Sequence, residues 1–511
     1  MATYEAVIGL EIHAELNTKT KMFCASANDP LELHPNINIC PICMGHPGTL
    51  PTINQEAVKK VIAVGIALNG AISEYSQFDR KNYFYPDLPK GYQISQYEHP
   101  LVQGGCLELE IPNPKSQIPN KSQALNPNDR NRTKRIRITR IHLEEDTGRL
   151  THDKGSSSSL VDFNRAGVPL MELVTEPDFR TGPEVRAFGE ELQRIVRYVN
   201  ASDANMEKGQ MRVEVNISLR PIGQEKFGTK VEVKNINSFK YAADAAAYEI
   251  TRQTAILERG EKITQETRGW NDHTQETFTQ RIKEDAHDYR YFPEPDLPPL
   301  RLAPEFIEEI QRSIPELPAA KRVRFAAEYG LEPDMAEILI RDRGLADYFE
   351  SAASEAQEHN KETPAKPRTN LTKTLAAFIT GDLLRLLRET SSPITDIRIT
   401  PENLAELAAL AAEEKISSTA AKQILAEMFA SGDDPSDIAK RLGLWQMSAT
   451  ADLEDIARHI IKENPKAVED WHKGKSASIQ FLVGQMMKQS RGTANPKIAQ
   501  EIIKKILDAA V

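Results

Sequence analysis

Residues 4–16, YEAVIGLEIHAEL, carry an apolar side chain at every second position from Ala6, with strict apolar–polar alternation from Leu10 to Leu16. Successive side chains on a strand point to opposite faces, so Ala6, Ile8, Leu10, Ile12, Ala14 and Leu16 form one apolar face. Glu11, His13 and Glu15 stand together on the other. A strand patterned in this way needs a sheet with one packed side and one polar side. Two further stretches carry the same pattern. In 211–219 the residues Met211, Val213, Val215, Ile217 and Leu219 face inward while Arg212, Glu214 and Asn216 face out; in 230–234, Lys230, Glu232 and Lys234 alternate with Val231 and Val233. Several strands therefore project acids, amides and bases from one side of a sheet.

Residues 136–148, IRITRIHLEEDTG, deliver acids to one end of such a strand. Glu144, Glu145 and Asp146 lie together, just before a glycine that can turn the chain. Adjacent carboxylates repel one another unless water or a cation offsets the charge, so a site that handles phosphate through a divalent metal is one reading and a solvated turn the other. Glu172, between Met171 and Leu173, adds an acid that must be paired or metal-bound if its apolar neighbours are buried. Residues 78–96, FDRKNYFYPDLPKGYQISQ, combine aromatics, prolines, Lys81 and Lys90 in a span too irregular for one regular element, as expected of an ordered loop lining a polar site.

Four cysteines are too few for a disulfide framework in 511 residues, and Cys24, Cys40 and Cys43 cluster. Cys40-Pro-Ile-Cys43 with a third thiol upstream suits a structural zinc, to which His46 or His34 would add the fourth ligand. No hydrophobic run is long enough to span a bilayer and the N-terminus carries no signal-peptide pattern, which leads us to expect a cytoplasmic or equivalent organellar protein without membrane contact. A net charge of −10 argues against a surface coated in basic residues for nucleic acid, but leaves local basic runs at 130–140 and among Lys488, Arg491, Lys497, Lys504 and Lys505. Helices are expected over 54–67, 183–199, 239–257, 304–313, 319–329 and 334–351, with Asn464-Pro465 and Asn495-Pro496 starting two more. Polar segments at 113–132 and 359–368 read as an insertion and a linker.

In chain order, VIGLEIHAEL, FDRKNYFYPDLPKGYQISQ, ITRIHLEEDTG, DFNRAGVPLMELVTEPD, MRVEVNISLRP, KVEVKNINSF, DYRYFPEPDLPPL, NPKAVEDWHKGK and FLVGQMMKQSRGTANP resemble the B subunits of the tRNA-dependent aspartyl/glutamyl amidotransferases over almost the whole chain. The resemblance implies an α+β fold: a cradle domain with an antiparallel sheet, similar to glutamine synthetase and guanido kinases, over 1–297. A helical domain over 298–405 and a helical tail binding tRNA over 406–511 would follow. It also implies a carbon–nitrogen ligase that uses ATP and Mg2+ to phosphorylate the side-chain carboxylate of Glu-tRNA(Gln) or Asp-tRNA(Asn). Ammonia from a separate glutaminase subunit would then displace the phosphate, with a small third subunit holding the heterotrimer together. The family's metal ligands map onto Glu11, His13, Glu145 and Glu172, and its ammonia outlet onto Lys81, Lys90 and Glu145. Glu144, Arg212, Glu214 and Lys234 are expected to contact nucleotide. No GxxxxGK[ST] loop is present, so the nucleotide would not be held in that way. Ser26 stands where many zinc-bearing members carry a cysteine. A non-catalytic tRNA-binding scaffold, which should have lost part of the metal set, and a free-standing ligase, which would have no use for the helical tail, are the competing readings.

Overall fold

The computed structural model describes residues 4–111, 132–152, 158–282, 288–362, 371–446, 450–475, 477–490 and 494–509. The 113–132 insertion apart from its last residue, Arg132, most of the 359–368 linker and Arg491 lie outside the described residues. The chain forms two compact units, 1–317 and 318–511.

The first unit is built on a sheet of ten strands among the described residues: β1 (Tyr4–Glu15), β2 (Ala71–Ile72), β3 (Val102–Gln103), β4 (Cys106–Ile111), β5 (Arg132–Glu145), β6 (Pro169–Thr175), β7 (Met211–Pro221), β8 (Val231–Ile236), β9 (Glu266–Asn271) and β10 (Glu276–Ile282). Their order is β10-β9-β8-β7-β1-β6-β5-β3-β2, and β4 pairs with β5. The first segment in sequence thus becomes a central strand. Pairing is antiparallel except between β8 and β9, which run parallel. That departure from a purely antiparallel sheet has a simple cause: the helix Phe239–Glu258 carries the chain from β8 back across the sheet, and a crossover of this kind joins parallel strands.

Helices α1 (Gln55–Ala67), α2 (Gly182–Tyr198) and α3 (Phe239–Glu258) pack against the apolar face. Each starts where the sequence can satisfy free backbone donors or dispense with one. Asn54 Oδ1 accepts from the amides of Glu56 and Ala57, Pro183 stands in the first turn of α2, and Ser238 Oγ accepts from the amide of Tyr241. Ile8, Leu10, Ile12, Val213, Val215, Ile141 and Leu173 join Val61, Phe188 and Ala245 in one buried cluster. Burial of that face fixes which side chains are left for the other.

One irregularity matters for the site. Where β5 pairs with β6 the register shifts between Val174, opposite Arg140, and Thr175, opposite Ile138. The extra residue changes the phase of β5. Ile136 and Ile138 before it and Ile141 and Leu143 after it all share the buried face, although their numbers change parity. Residues 78–96 are more regular than expected: Asp79–Asn82 and Tyr92–Ser95 pair as a short antiparallel hairpin, with the proline-rich segment as its connection.

The second unit is helical. Helices Pro318–Tyr329, Pro333–Leu339, Arg343–Glu362, Leu371–Phe378, Pro401–Ala412 and Ser418–Ser431 enclose a core that includes Phe325, Phe349, Leu375, Leu404 and Ile424. The single helix expected over 334–351 is two, because Asp342 accepts from the amide of Leu345 and starts a new helix after Leu339. Helices Thr450–Glu463, Pro465–His472, Ala477–Gln489 and Pro496–Ala509 enclose a separate small core around Leu453, Leu482 and Ile503. Among the described residues no helix is long and apolar enough to cross a membrane.

Candidate active site

The polar face of the sheet lines a cleft of about 1290 Å³. Strand register explains its contents. Glu172 on β6 stands opposite His13 on β1 and opposite His142 on β5, and His13 stands opposite Arg212 on β7. Facing residues on paired strands bring their side chains within about 5 Å, so four strands deliver one row. His13 Nε2 lies 3.2 Å from Glu172 Oε2 and 3.9 Å from Glu144 Oε1. His142 Nε2 lies 3.4 Å from Glu172 Oε2 and 3.6 Å from Glu144 Oε2, and Ser95 Oγ donates to the same Glu144 oxygen at 2.8 Å.

A second group lies two residues further along β1. Glu11 stands opposite Glu214, and Glu232 on β8 opposite Asn216. One ligand atom from each of Glu11, Glu214 and Glu232 falls within 4.8 Å of the others, as in the group His13, Glu144 and Glu172. Asn216 Nδ2 donates to Glu11 Oε1 at 2.9 Å, and Lys234 Nζ lies 2.8 Å from Glu214 Oε2 and 3.5 Å from Glu232 Oε1. Arg212 Nη2 meets Asp146 Oδ2 at 2.7 Å. Lys81 projects into the same space beside an aromatic wall in which Tyr97 and Tyr291 stack at 4.4 Å and Lys81 Nζ lies 5.2 Å from the Tyr289 ring centroid.

The electrostatics follow from crowding acids in a half-buried space. Burial and then the carboxylates of Glu172, Glu214 and Glu232 push the Glu11 carboxyl up. Burial opposes ionisation of Glu172, yet the imidazoles of His142 and His13 outweigh it and hold that carboxyl well below the usual range. His142 is opposed by burial but raised to about 9, chiefly by Glu172. Glu15, expected beside Glu11 and His13, is buried and pushed up to about 7, first by burial and then by Asp146. Burial also opposes the Lys81 ammonium, which Glu144 and other anionic neighbours stabilise beyond that cost. Eight carboxylates, five lysine or arginine cations and the two imidazoles of His13 and His142 line the cleft, so acids and bases are interleaved throughout it. Two carboxylate-rich groups of ligand atoms fit hard divalent cations such as Mg2+.

Glu145 does not join this cleft. It follows Leu143 in the phase of β5 and turns away from Glu144, so of the expected set Glu11, His13, Glu145 and Glu172 the structure places Glu145 apart from the others, with Glu144 beside His13 and Glu172. Glu145 pairs with Lys90 and accepts from the Ile94 amide at 3.0 Å. Both line a separate cavity of about 100 Å³. Lys81 and Lys90 are likewise apart, Lys81 in the cleft and Lys90 behind the strand end. The side-chain amide of Gln93, which lines the cleft, bridges the two by donating to the Glu145 carbonyl at 2.6 Å.

Cys24, Cys40 and Cys43 come together, with Sγ atoms within 4.8 Å of one another. Closed structural zinc sites take four ligands. His34 is exposed and bonded to Glu32, and His46 contributes no ligand atom to the group. Ser26 Oγ lies 4.0 Å from Cys43 Sγ, and the buried Lys21 Nζ lies 3.8 Å from it. The donor set among the described residues is therefore one short of a closed zinc site.

His142, Asp146 and Glu232 belong to the site although none was among the expected ligands or nucleotide contacts. The sequence placed Asp146 in the acid cluster and Glu232 on the polar face by the alternation of β8, without joining either to the others. His142 could not be placed, because the bulge in β5 shifts the phase. A further cavity, of about 340 Å³, shares Glu11 with the cleft and is lined by Val7, Leu10, Asn216, Phe227 and Lys230 among others.

Residues 6–308 match the family model described as the GatB/GatE catalytic domain, and residues 361–507 the one described as the GatB domain. Curated relatives are named as the B subunit of aspartyl/glutamyl-tRNA(Asn/Gln) amidotransferase. That of Rippkaea orientalis is 46% identical over 98% of this chain and 97% of its own length. That of Carboxydothermus hydrogenoformans is 46% identical over 99% of both, and that of Persephonella marina 45% over 99% of both.

Proposed function

The chain belongs to the GatB/GatE family of amidotransferase B subunits, and from that membership we propose that it is the ATP-using subunit of a tRNA-dependent amidotransferase complex. It converts Glu-tRNA(Gln) or Asp-tRNA(Asn) into Gln-tRNA or Asn-tRNA for translation. A side-chain carboxylate oxygen of the misacylated amino acid attacks the γ-phosphorus of ATP, and ADP leaves. Ammonia then attacks the acyl carbon, the acyl C–O bond to the phosphate breaks, and phosphate leaves. The first step is needed because oxide is a poor leaving group and phosphate a good one. The observation that carries this reading is the row of Glu144, His142, Glu172 and His13 beside the group Glu11, Glu214 and Glu232, with lysines and arginines interleaved.

Glu11, His13, Glu144, Glu172, Glu214 and Glu232 would hold Mg2+, which when bound offsets phosphate charge and polarises the transferring group. Arg212 and Lys234 sit where phosphate oxygens would displace them from Asp146 and Glu214, and Lys81 holds a cation against the substrate carboxylate. Positioning and charge neutralisation of this kind are what phosphoryl transfer asks of a protein. The recess lined by Val7, Leu10 and Phe227 offers the nucleoside an apolar floor. Lys90 and Glu145 would handle ammonia as it comes from a separate glutaminase subunit, the carboxylate taking the ammonium proton before the amine passes the strand end. A small third subunit would complete the heterotrimer. Zinc enters none of these steps.

We place the catalytic part, a cradle of the glutamine synthetase and guanido kinase type, at 1–297, and assign 298–405 and the tail 406–511 to tRNA. Lys488, Lys497, Lys504 and Lys505 offer the tail phosphate contacts. The protein would work in the cytoplasm or an equivalent organellar compartment. The test is release of γ-phosphate from ATP by the three-subunit complex with and without Glu-tRNA(Gln). Release that depends on the misacylated tRNA, and that Glu144→Gln abolishes, supports the reading. ATP turnover indifferent to the aminoacyl group overturns it.

A further inference from the structure

The three thiols do not stand alone in the fold. Gly45, at φ +66° in the turn that follows Cys43, packs so tightly on Lys90 that a Cβ there would lie 2.5 Å from Lys90 Cγ. Gly167, at φ +84°, sits between Cys43, Lys21 and Glu145: a Cβ there would lie 3.4 Å from Cys43 Cβ and 3.9 Å from Glu145 Oε2. Cys24, Cys43, Lys90 and Glu145 all line the same cavity of about 100 Å³. The cysteine turn and the Lys90–Glu145 pair therefore share one packed wall. Cys40 and Cys43 Sγ atoms lie 3.9 Å apart, and the Cys40 amide donates to Cys43 Sγ at 3.1 Å.

We propose that Cys40 and Cys43 form a reversible disulfide, with a peroxide as oxidant, and that its formation displaces Lys90 from Glu145. The cavity admits a molecule the size of hydrogen peroxide to Cys43. The Cys43 thiolate attacks one peroxide oxygen, the O–O bond breaks, and the hydroxide that leaves takes a proton from the Lys21 ammonium, giving a sulfenic acid and water. The Cys40 thiol then attacks the sulfenic sulfur, the S–OH bond breaks, and a second water leaves. Two thiols are oxidised and one peroxide is reduced to two waters. A disulfide needs its sulfurs about 2.05 Å apart, against 3.9 Å here, so the Cys40 and Cys43 side chains must turn toward each other and the turn between them must adjust. Gly45 continues that turn against Lys90, so the adjustment is passed to Lys90.

The consequence for amide formation rests on the reading of Lys90 and Glu145 as the ammonia outlet; the disulfide and the displacement of Lys90 do not. The experiment uses the purified heterotrimer, treated with hydrogen peroxide, quenched, and compared with a reduced sample. Peptide mass spectrometry is expected to find Cys40 joined to Cys43. Acylation of Lys90 by an amine-reactive ester is expected to rise several-fold in the oxidised sample, and to return with dithiothreitol. Cys40→Ser and Cys43→Ser are each expected to abolish the rise, two variants guarding against misfolding of either. No disulfide, a disulfide with unchanged Lys90 acylation, or one firmly held zinc per chain that survives peroxide would each overturn the proposal. Loss of glutamine-dependent amide formation together with the disulfide supports both readings. Intact amide formation despite displaced Lys90 supports the switch and removes Lys90 and Glu145 from the ammonia route.

Discussion

Glu144 and Glu145 are neighbours in sequence and serve opposite sides of one strand. Glu144 lies within 3.9 Å of the imidazoles of both His13 and His142, while Glu145 pairs with Lys90 in a different cavity. Their conservative variants should therefore fail differently. Glu144→Gln is expected to lower tRNA-dependent ATP cleavage by about 100-fold or more, as losing a group that acts only during phosphoryl transfer does. Glu145→Gln is expected to leave ATP cleavage near wild type while amide formation falls behind phosphate release. Parallel assays of phosphate and Gln-tRNA separate the two outcomes.

Ser95 holds Glu144 in place through its 2.8 Å hydrogen bond. Removing a hydrogen bond that orients a ligating carboxylate typically costs about 10–100-fold in metal affinity. Ser95→Ala should raise the Mg2+ concentration for half-maximal ATP cleavage by a factor in that range and leave the maximal rate at saturating Mg2+ little changed. A titration of magnesium after chelation is the measurement.

Phe227, 57% exposed at the rim of the recess beside Glu11, should matter to ATP alone. Loss of an aromatic contact of about 1.4 kcal/mol corresponds to roughly a tenfold rise in KM. Phe227→Ala is expected to raise KM for ATP by about that factor with kcat and the KM for tRNA unchanged.

Away from the cleft, Glu249 is fully buried on α3 and receives Arg252 at 2.8 Å, Gln253 at 2.9 Å and Thr277 at 2.6 Å. Burial alone would raise its carboxyl, but Arg252 and the hydroxyl and amide donors hold it below the ordinary 4.5. A depressed folded-state value means that the charge stabilises the fold above about pH 4.5 and that this contribution disappears as pH falls through the depressed value. Glu249→Ala, which removes one of the two carboxylates shared by Arg252 and Arg268 and leaves them Glu266, should cost about 1–3 kcal/mol at pH 7 and less in acid. Denaturant unfolding from pH 7 to pH 3 would check both the size and the sign.

Much of this was legible because strand alternation and helix caps are local. The pattern of 4–16 placed Glu11 and His13 on the polar face, and the sheet's burial bears that out. The helix starts expected at 54, 183 and 239 fall within one residue of those the structure forms, since capping depends on residues within one turn. The three thiols were legible as a group, but the missing fourth ligand was not, because His46, close in sequence and lining the same cavity, brings no ligand atom within reach of them.

The sequence by itself determined that this chain makes a half-buried sheet with acids, imidazoles and bases on its free side, that helices follow, and, through long motifs in order, the family to which it belongs. Only the tertiary structure decided which carboxylates share a site. A one-residue bulge in β5 sets the phase that sends Glu144 to the cleft and Glu145 to Lys90. Register across β5, β6, β1 and β7 then brings His142, Glu172, His13 and Arg212 into one row. Bulge position and strand register are set by packing between segments far apart in the chain, and a single strand's pattern carries no record of its partner's offset.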